Sequence, residues 1–168
     1  LVASKASECL IAASCSKNFG IYRERTGILM GVSKEGTGTK LAQGVLTAHN
    51  RLNFSIPPDH GARLVTMILT DPDLKAMWME ELEEVRLSML GLRQQLADEL
   101  KRLTNSDRFD FLAQHRGMFS RLGTTPEVVE MMRADHAIYM IPDSRMNIAG
   151  LNSQTVPLLA AAIVKAGL

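Results

Sequence analysis

Apolar and polar positions fall in blocks along the chain, and the blocks change character twice. Cys9–Ala13 is a short apolar run bounded by Ser14, Ser16 and Asn18, and Ile28–Val32 is a second, punctuated by Gly27 and by the Gly36–Gly38 stretch. Runs of this length with turn residues at their ends predict strands buried on both faces. Leu41, Val45, Ala48 and Leu52 fall on helical spacing, and so do Leu64, Val65, Ile68 and Leu69. Between these helices lies Asn53–Gly61, where Pro57-Pro58 holds the backbone extended or turning. Asp71-Pro72 then supplies a cap and a first-turn proline for a much longer helix. Leu74, Trp78, Leu82, Val85, Met89, Leu92, Leu96, Leu100 and Leu103 recur every three or four residues, with Glu80, Glu81, Glu84, Arg93, Gln94, Asp98 and Lys101 on the other face. Such a helix of about thirty residues is roughly 45 Å long, enough to span two layers or two domains.

After Thr104 the pattern shortens. Phe109–Ala113 and Gly117–Ser120 read as strands, and Thr125-Pro126 opens a helix that runs to about Asp135. Ala137–Ile141 and Met146–Ala149 read as two more strands, and Pro157–Lys165 lies in a closing helix. Short strands alternating with helices after one long helix predict a small α/β unit hung on that helix.

Length and composition narrow the class. The 168 residues suit one domain or a little more, and 46% apolar with 22% charged residues is an ordinary globular mix. A formal net charge of +1, without a basic run, is no footprint for nucleic acid or an anionic membrane surface. Apolar stretches such as Leu158–Val164 fall far short of the ~20 residues of a membrane span. Cys9 and Cys15 cannot build a disulfide framework, which reads as a reducing, cytosolic setting. Ten methionines against one tryptophan suggest a helical core of flexible apolar side chains. The opening Leu-Val-Ala-Ser, with neither an initiator methionine nor a targeting pattern, reads as the middle of a larger protein.

Several chemistries lack their residues. His49, His60, His115 and His136 are scattered, and no Cys-x-x-Cys or His-Glu-x-x-His spacing offers a metal site. Neither a Walker-type glycine loop nor Gly-x-Ser-x-Gly occurs, which weakens the hydrolase, NTPase and dehydrogenase readings. What remains is the connection from Ser14 to Gly27, which holds Lys17, Arg23 and Arg25. On composition alone it is a solvated turn. Its residue types also fit a sharper use. A lysine amine held partly out of water beside positive charge loses its proton more readily and can attack a carbonyl to form an imine. Ser14, three residues before Lys17, and Arg25, eight after, could turn toward one phosphate, since a guanidinium donates two parallel hydrogen bonds to phosphate oxygens. An aldehyde whose phosphate is clamped nearby describes pyridoxal 5'-phosphate.

The same residues carry a resemblance. Ser-x-Ser-Lys-Asn-Phe-Gly-x-Tyr-x-Glu-Arg-x-Gly, from Ser14 to Gly27, resembles the cofactor-lysine segment of the aspartate and aromatic amino acid aminotransferases, within the fold-type I pyridoxal-phosphate enzymes. Arg51-Leu52-Asn53-Phe54-Ser55-Ile56-Pro57-Pro58-Asp59-His60-Gly61 resembles the family's Arg-x-x-x-Ser-x-Pro-Pro-x-x-Gly stretch. Gly117-Met118-Phe119-Ser120 and the segment from Ile138-Tyr139 through Arg145-Met146-Asn147-Ile148-Ala149-Gly150-Leu151 resemble its C-terminal motifs. Four motifs in order cover nearly the whole chain.

The resemblance implies a three-layer α/β/α fold, of which this chain is the C-terminal portion. Residues 1–72 are then the end of the large cofactor domain, 73–103 the interdomain helix and 104–168 most of the small domain. It implies transamination between aspartate, glutamate or an aromatic amino acid and a 2-oxo acid such as 2-oxoglutarate, in a homodimer with shared active sites. Lys17 matches the Schiff-base lysine that shuttles the proton, and Ser14, Arg25 and the neighbouring Ser16 match the phosphate ligands. Arg145 matches the arginine that pairs with the substrate α-carboxylate, and Phe119 a small-domain aromatic near the substrate. Arg51 matches the arginine lent by the neighbouring subunit to a distal carboxylate, while Tyr22 and Asn18 order the loop. The family's aspartate at the pyridine nitrogen, ring-stacking aromatic, phosphate-cup turn and cross-dimer tyrosine have no match here, so the isolated chain is expected to be inactive. Ile56, Ser144 and Arg121 depart from the pattern and bear on substrate preference. Two alternatives stay open: a β-lyase or decarboxylase using the same lysine, and a non-catalytic assembly unit.

Overall fold

The computed structural model describes residues 2–33 and 36–168; Leu1, where the chain opens without methionine, lies outside them. The chain divides into two compact units, Leu1–Glu80 and Glu81–Leu168.

In the first unit a short helix α1 (Val2–Lys5) leads into β1 (Glu8–Ser14), which pairs antiparallel with β2 (Gly27–Ser33), in a register that sets Ser14 opposite Gly27 and Glu8 opposite Ser33. Gly27 has a steric reason to be glycine, because a Cβ there would press on the Ala13 carbonyl oxygen across the ladder. Both strands lie where the apolar runs predict them. Their apolar side chains are exposed in this chain by itself, Leu10 at 74% and Ile28 at 58%, so burial on both faces requires a covering layer that the described residues do not supply. A two-stranded sheet has no second layer of its own to cover its faces, and none does so among the described residues. Helices α2 (Thr39–Phe54) and α3 (His60–Thr70) follow, separated by the Pro57-Pro58 segment. Asp71 then caps the long helix α4 (Pro72–Thr104), its Oδ1 accepting from the Asp73 and Leu74 amides at 2.9 and 3.0 Å. At 33 residues α4 is about 50 Å long.

In the second unit α4 is followed by α5 (Phe111–Gln114), β3 (Phe119–Arg121), α6 (Pro126–His136), β4 (Arg145–Asn147) and α7 (Thr155–Lys165). Strands β3 and β4 pair antiparallel, with Phe119 opposite Asn147 and Arg121 opposite Arg145. The core gathers Leu96 and Leu100 from α4, Leu112, Met132, Ile148, and Ala160 and Ile163 from α7. Of the ten methionines, Met132 and Met146 enter this core, while Met67, Met77 and Met79 are exposed, so methionine does not dominate the packing.

Three readings are corrected here. Phe109–Ala113 is not a strand but a turn entering α5, because Phe109 and Leu112 bury together at i, i+3 spacing, one helical turn apart. Ala137–Ile141 forms no ladder with any described residue. Ala137 takes a left-handed conformation (φ 54°) and closes α6, its amide donating to Arg133 O and that of Ile138 to Met132 O. Arg93 is not on the solvated face of α4. It lies three, four and seven residues before the buried Leu96, Ala97 and Leu100, and is itself only 1% exposed.

Candidate functional site

The connection from β1 to β2 is drawn into a tight loop. The Cys15 amide donates to Thr26 O (3.0 Å), closing its base, and Phe19 N donates to Cys15 O (3.2 Å) and Gly20 N to Lys17 O (3.3 Å). Gly20 (φ 69°) and Arg25 (φ 51°) take the left-handed conformations these reversals require. The Ser14 hydroxyl donates to Ser16 Oγ at 2.8 Å and accepts from the Ser16 amide at 3.1 Å, and Ser16 is buried. Arg25 spends one of its five N–H donors on Tyr22 O (2.9 Å). Ser14, Ser16, Arg25, Thr26 and Gly27, with Ala12 and Ala13, line a cleft of about 270 Å³. Two hydroxyls and a guanidinium around such a space suit an oxyanion such as phosphate. Lys17 is exposed beside this loop, its Nζ 4.9 Å from the centroid of the Tyr22 ring.

The loop is braced from two sides within the first unit. Gly61, at the start of α3, is buried so closely that a Cβ there would run into the Thr26 hydroxyl, and its neighbour His60 pairs through Nδ1 with Glu24 at 2.8 Å. Trp78 of α4 donates its indole N–H to Asn18 O at 2.7 Å and stacks on Phe19. Arg51 sits exposed in the last turn of α2, where the helix dipole favours a cation. Ile56, two residues after Phe54, is 84% exposed.

The second unit carries Arg145 and Phe119. Their strands bring them together, with the Arg145 guanidinium 5.4 Å from the Phe119 ring centroid. Asp143 Oδ1 accepts from the Arg145 amide (3.0 Å), and Arg121, facing Arg145 across the ladder, turns its Nε to Asp143 O (3.1 Å). Ser144 explains how a non-glycine residue serves before Arg145. Its φ of 63° is left-handed, but its buried hydroxyl accepts from the Gly123 and Thr124 amides at 3.1 and 3.3 Å. Ser144→Ala is therefore expected to cost about 1–3 kcal/mol by orphaning those amides. Ser144→Gly, free of the left-handed penalty, loses about 1 kcal/mol less. Denaturant unfolding of the two variants checks this; a glycine variant less stable than the alanine one contradicts it.

Beneath β3 lies a feature the composition of α4 concealed. Arg93 donates to Leu112 O (3.2 Å), Ser120 Oγ (2.6 Å), Gly117 O (2.7 Å) and Phe119 O (3.2 Å), while its Nε has no acceptor among the described residues. Burial, and next the nearby Arg116, pull its pKa below the usual arginine value, though a guanidinium stays charged in proteins. Its place in the Leu96, Ala97 and Leu100 stripe was the signal available in the sequence. Trp78 had a weaker one, as a lone tryptophan on the apolar face.

No group of three or more metal-ligating side chains occurs among the described residues, and none of the helices they form is long and apolar enough to cross a membrane. Cys9 and Cys15 are free thiols.

Known proteins resemble this chain along nearly its whole length. The family model for aminotransferase class I and II matches residues 1–163. The chain is 58% identical to the aromatic-amino-acid aminotransferase of Paracoccus denitrificans over 99% of its own length and 42% of that protein's. It is 35% identical to the aspartate aminotransferase of Escherichia coli, over 94% of its own length and 40% of the other. A solved aromatic amino acid aminotransferase with 3-indolebutyric acid superposes at a TM-score of 0.94 with 57% identity, over 99% of this chain and 42% of that one. The aromatic-amino-acid aminotransferase of Burkholderia pseudomallei, covalently bound to pyridoxal phosphate, superposes at 0.85 with 32% identity, over 94% and 39%. The fold is thus that of the fold-type I aminotransferases, of which this chain spans about two fifths of the length. With motifs, fold and similarity in agreement, the chain belongs to the aminotransferase class I and II family.

Proposed function

We propose that this chain is the C-terminal part of a pyridoxal-phosphate-dependent aminotransferase acting on aromatic amino acids and on aspartate or glutamate, with a 2-oxo acid such as 2-oxoglutarate as acceptor. The observation that carries the reading is the Ser14–Ser16–Arg25 cleft beside Lys17, within a loop whose sequence matches the family's cofactor segment. The donor set fits the cofactor: two hydroxyls and a guanidinium suit a phosphate dianion, and the lysine amine suits an aldehyde. Aromatic donors are favoured by the 58% identity to an aromatic-amino-acid enzyme. An aromatic acid bound to the 57%-identical solved relative points the same way. On this reading residues 1–72 end the large domain, 73–103 form the interdomain helix, and 104–168 belong to the small domain. The enzyme is a cytoplasmic homodimer.

When bound, pyridoxal phosphate supplies a ring that accepts the electrons released at the substrate α-carbon. This chain's residues do the rest. Ser14, Ser16 and Arg25 hold the phosphate. Lys17 would take the proton from the substrate α-carbon as general base and, as general acid, deliver it to the cofactor's C4' carbon. Arg145 fixes the α-carboxylate through two parallel hydrogen bonds, which aims the Cα–H bond at the base. Phe119, already against the Arg145 guanidinium, gives that pair an apolar wall. Arg51 serves a distal carboxylate across the dimer.

Borohydride reduction of the complete enzyme, followed by peptide mapping, is expected to leave the cofactor on Lys17. Label on any other lysine overturns the reading. Arg51→Leu is expected to damage aspartate and glutamate turnover far more than phenylalanine turnover. Losing a charge-assisted pair to a desolvated carboxylate costs about 2–5 kcal/mol, or roughly 30- to several-thousand-fold in kcat/KM, and an aromatic side chain never uses that pair. Equal losses for both substrate classes remove Arg51 from this role. A dicarboxylate requirement of this kind also separates transamination from a β-lyase or decarboxylase using the same lysine.

A further inference from the structure

We infer that Trp78 is a positioning residue for Lys17, holding the backbone that follows the lysine in one place and one orientation. The inference rests on Lys17 being the cofactor lysine.

The physical need comes first. An amine that must meet one carbon and then carry a proton along one direction gains from a fixed origin, and a displacement of about 1 Å can cost on the order of 100-fold in rate. Lys17 and Asn18 are both exposed at the outer end of the loop, so core packing does not fix them. Upstream the backbone is secured by the β1–β2 ladder and by the Cys15 amide on Thr26 O. Downstream, the turn's own bonds at Phe19 and Gly20, at 3.2 and 3.3 Å, are long for N–H···O bonds.

Trp78 meets that downstream side at two consecutive residues. Its indole N–H donates to Asn18 O at 2.7 Å, short for such a bond, and this carbonyl belongs to the residue immediately after Lys17. Its ring lies 4.6 Å from the Phe19 ring centroid with the planes 8° apart, a stacked contact that sets the tilt of the loop. The hydrogen bond fixes position and the stack fixes orientation. Trp78 can do both because indole pairs a large flat face with an N–H donor at its edge. Phenylalanine keeps the face and loses the donor; leucine loses both. The side chain is carried two turns into α4, whose start is capped by Asp71, so its base is a formed helix rather than another loop.

The test uses Trp78→Phe and Trp78→Leu in the complete enzyme, with three measurements. Borohydride mapping first establishes that the cofactor sits on Lys17. Visible circular dichroism of the bound cofactor, per unit absorbance, then reports how rigidly the lysine presents it. Steady-state kinetics separate kcat from KM. Expected for Trp78→Phe are a reduced visible dichroic band and a kcat lowered about 10-fold with KM little changed, because the carboxylate-binding arginines are untouched. Trp78→Leu is expected to fall further, toward the 100-fold scale of a misplaced reacting group. An unchanged dichroic band and kcat in Trp78→Phe overturn the inference whatever happens to thermal stability. So does a loss that appears equally in kcat and in the fraction of folded protein, with the band per bound cofactor preserved. Cofactor found on a lysine other than Lys17 instead removes the underlying reading, and the two failures are told apart at the mapping step.

Discussion

Lys17→Ala in the complete enzyme is expected to abolish borohydride-trappable cofactor and to cut transamination by at least roughly 10²–10⁴-fold, the scale of a lost general acid–base group. On the proposed reading two functions disappear with one amine: the covalent hold on the aldehyde and the proton shuttle from the α-carbon. The proposed phosphate side of the site is a separate structure. Ser14, Ser16 and Arg25 line their cleft without help from the Lys17 side chain, so phosphate-bearing cofactor is expected to remain bound, though more weakly. Equilibrium dialysis with pyridoxal phosphate, beside a turnover assay with aspartate and 2-oxoglutarate, measures both effects. Turnover within ten-fold of the parent enzyme takes Lys17 out of the chemistry.

The second large effect is on stability and falls at Arg93. Arg93→Met replaces a guanidinium that serves four acceptors, Leu112 O, Gly117 O, Phe119 O and Ser120 Oγ, with a side chain that serves none. Each acceptor left unpaired out of water costs about 1–3 kcal/mol, and the loss falls on the carbonyls, since Ser120 Oγ keeps its 3.1 Å contact with His115 Nδ1. Against this runs the relief of no longer burying a charge that has no carboxylate beside it among the described residues, which can recover several kcal/mol. Three of the four acceptors are backbone carbonyls, which cannot be repacked as a side chain can, so the losses win. A net loss of about 2–4 kcal/mol is expected. The effect is local, and hydrogen exchange reads it locally: the Leu122 and Ile148 amides, which bond to Ser144 O and Met118 O around β3 and β4, are expected to lose roughly 30- to 1,000-fold protection. Arg93→Lys keeps a charge and three donors but not the planar fork, and recovers part of the loss. Protection unchanged in Arg93→Met contradicts the role assigned to this network.

Because Phe119 and Arg145 are presented by β3 and β4, Arg93 also bears on the side of the second unit proposed to meet substrate. A guanidinium with a mainly structural function therefore sits one layer beneath one proposed for recognition, and a list of arginines in the sequence does not separate them. Burial and partner type do. Arg93 faces carbonyls and a hydroxyl in the interior, whereas Arg145 is exposed with its guanidinium against the Phe119 ring.

Local patterning alone determined a large part of this protein. Cys9–Ala13 and Ile28–Val32 are strands and the leucine-rich repeat after Asp71-Pro72 is one long helix, because strand and helix periods and the cap–proline pair are properties of neighbouring residues. The order and spacing of four motifs identified the family for the same reason: the chemistry of the cofactor segment is written in a contiguous stretch. Tertiary structure decided the rest. Phe109–Ala113 became a turn and helix because the core accepts residues three apart there, and Ala137–Ile141 stayed unpaired because a strand needs a neighbour that its own sequence does not specify. Arg93 went inside although its composition reads as surface, since four acceptors from α5, β3 and the segment between them converge on it. The tie between Trp78 and Asn18 joins residues sixty positions apart. No local rule carries such a contact; it exists only once the helix and the loop have been folded against each other.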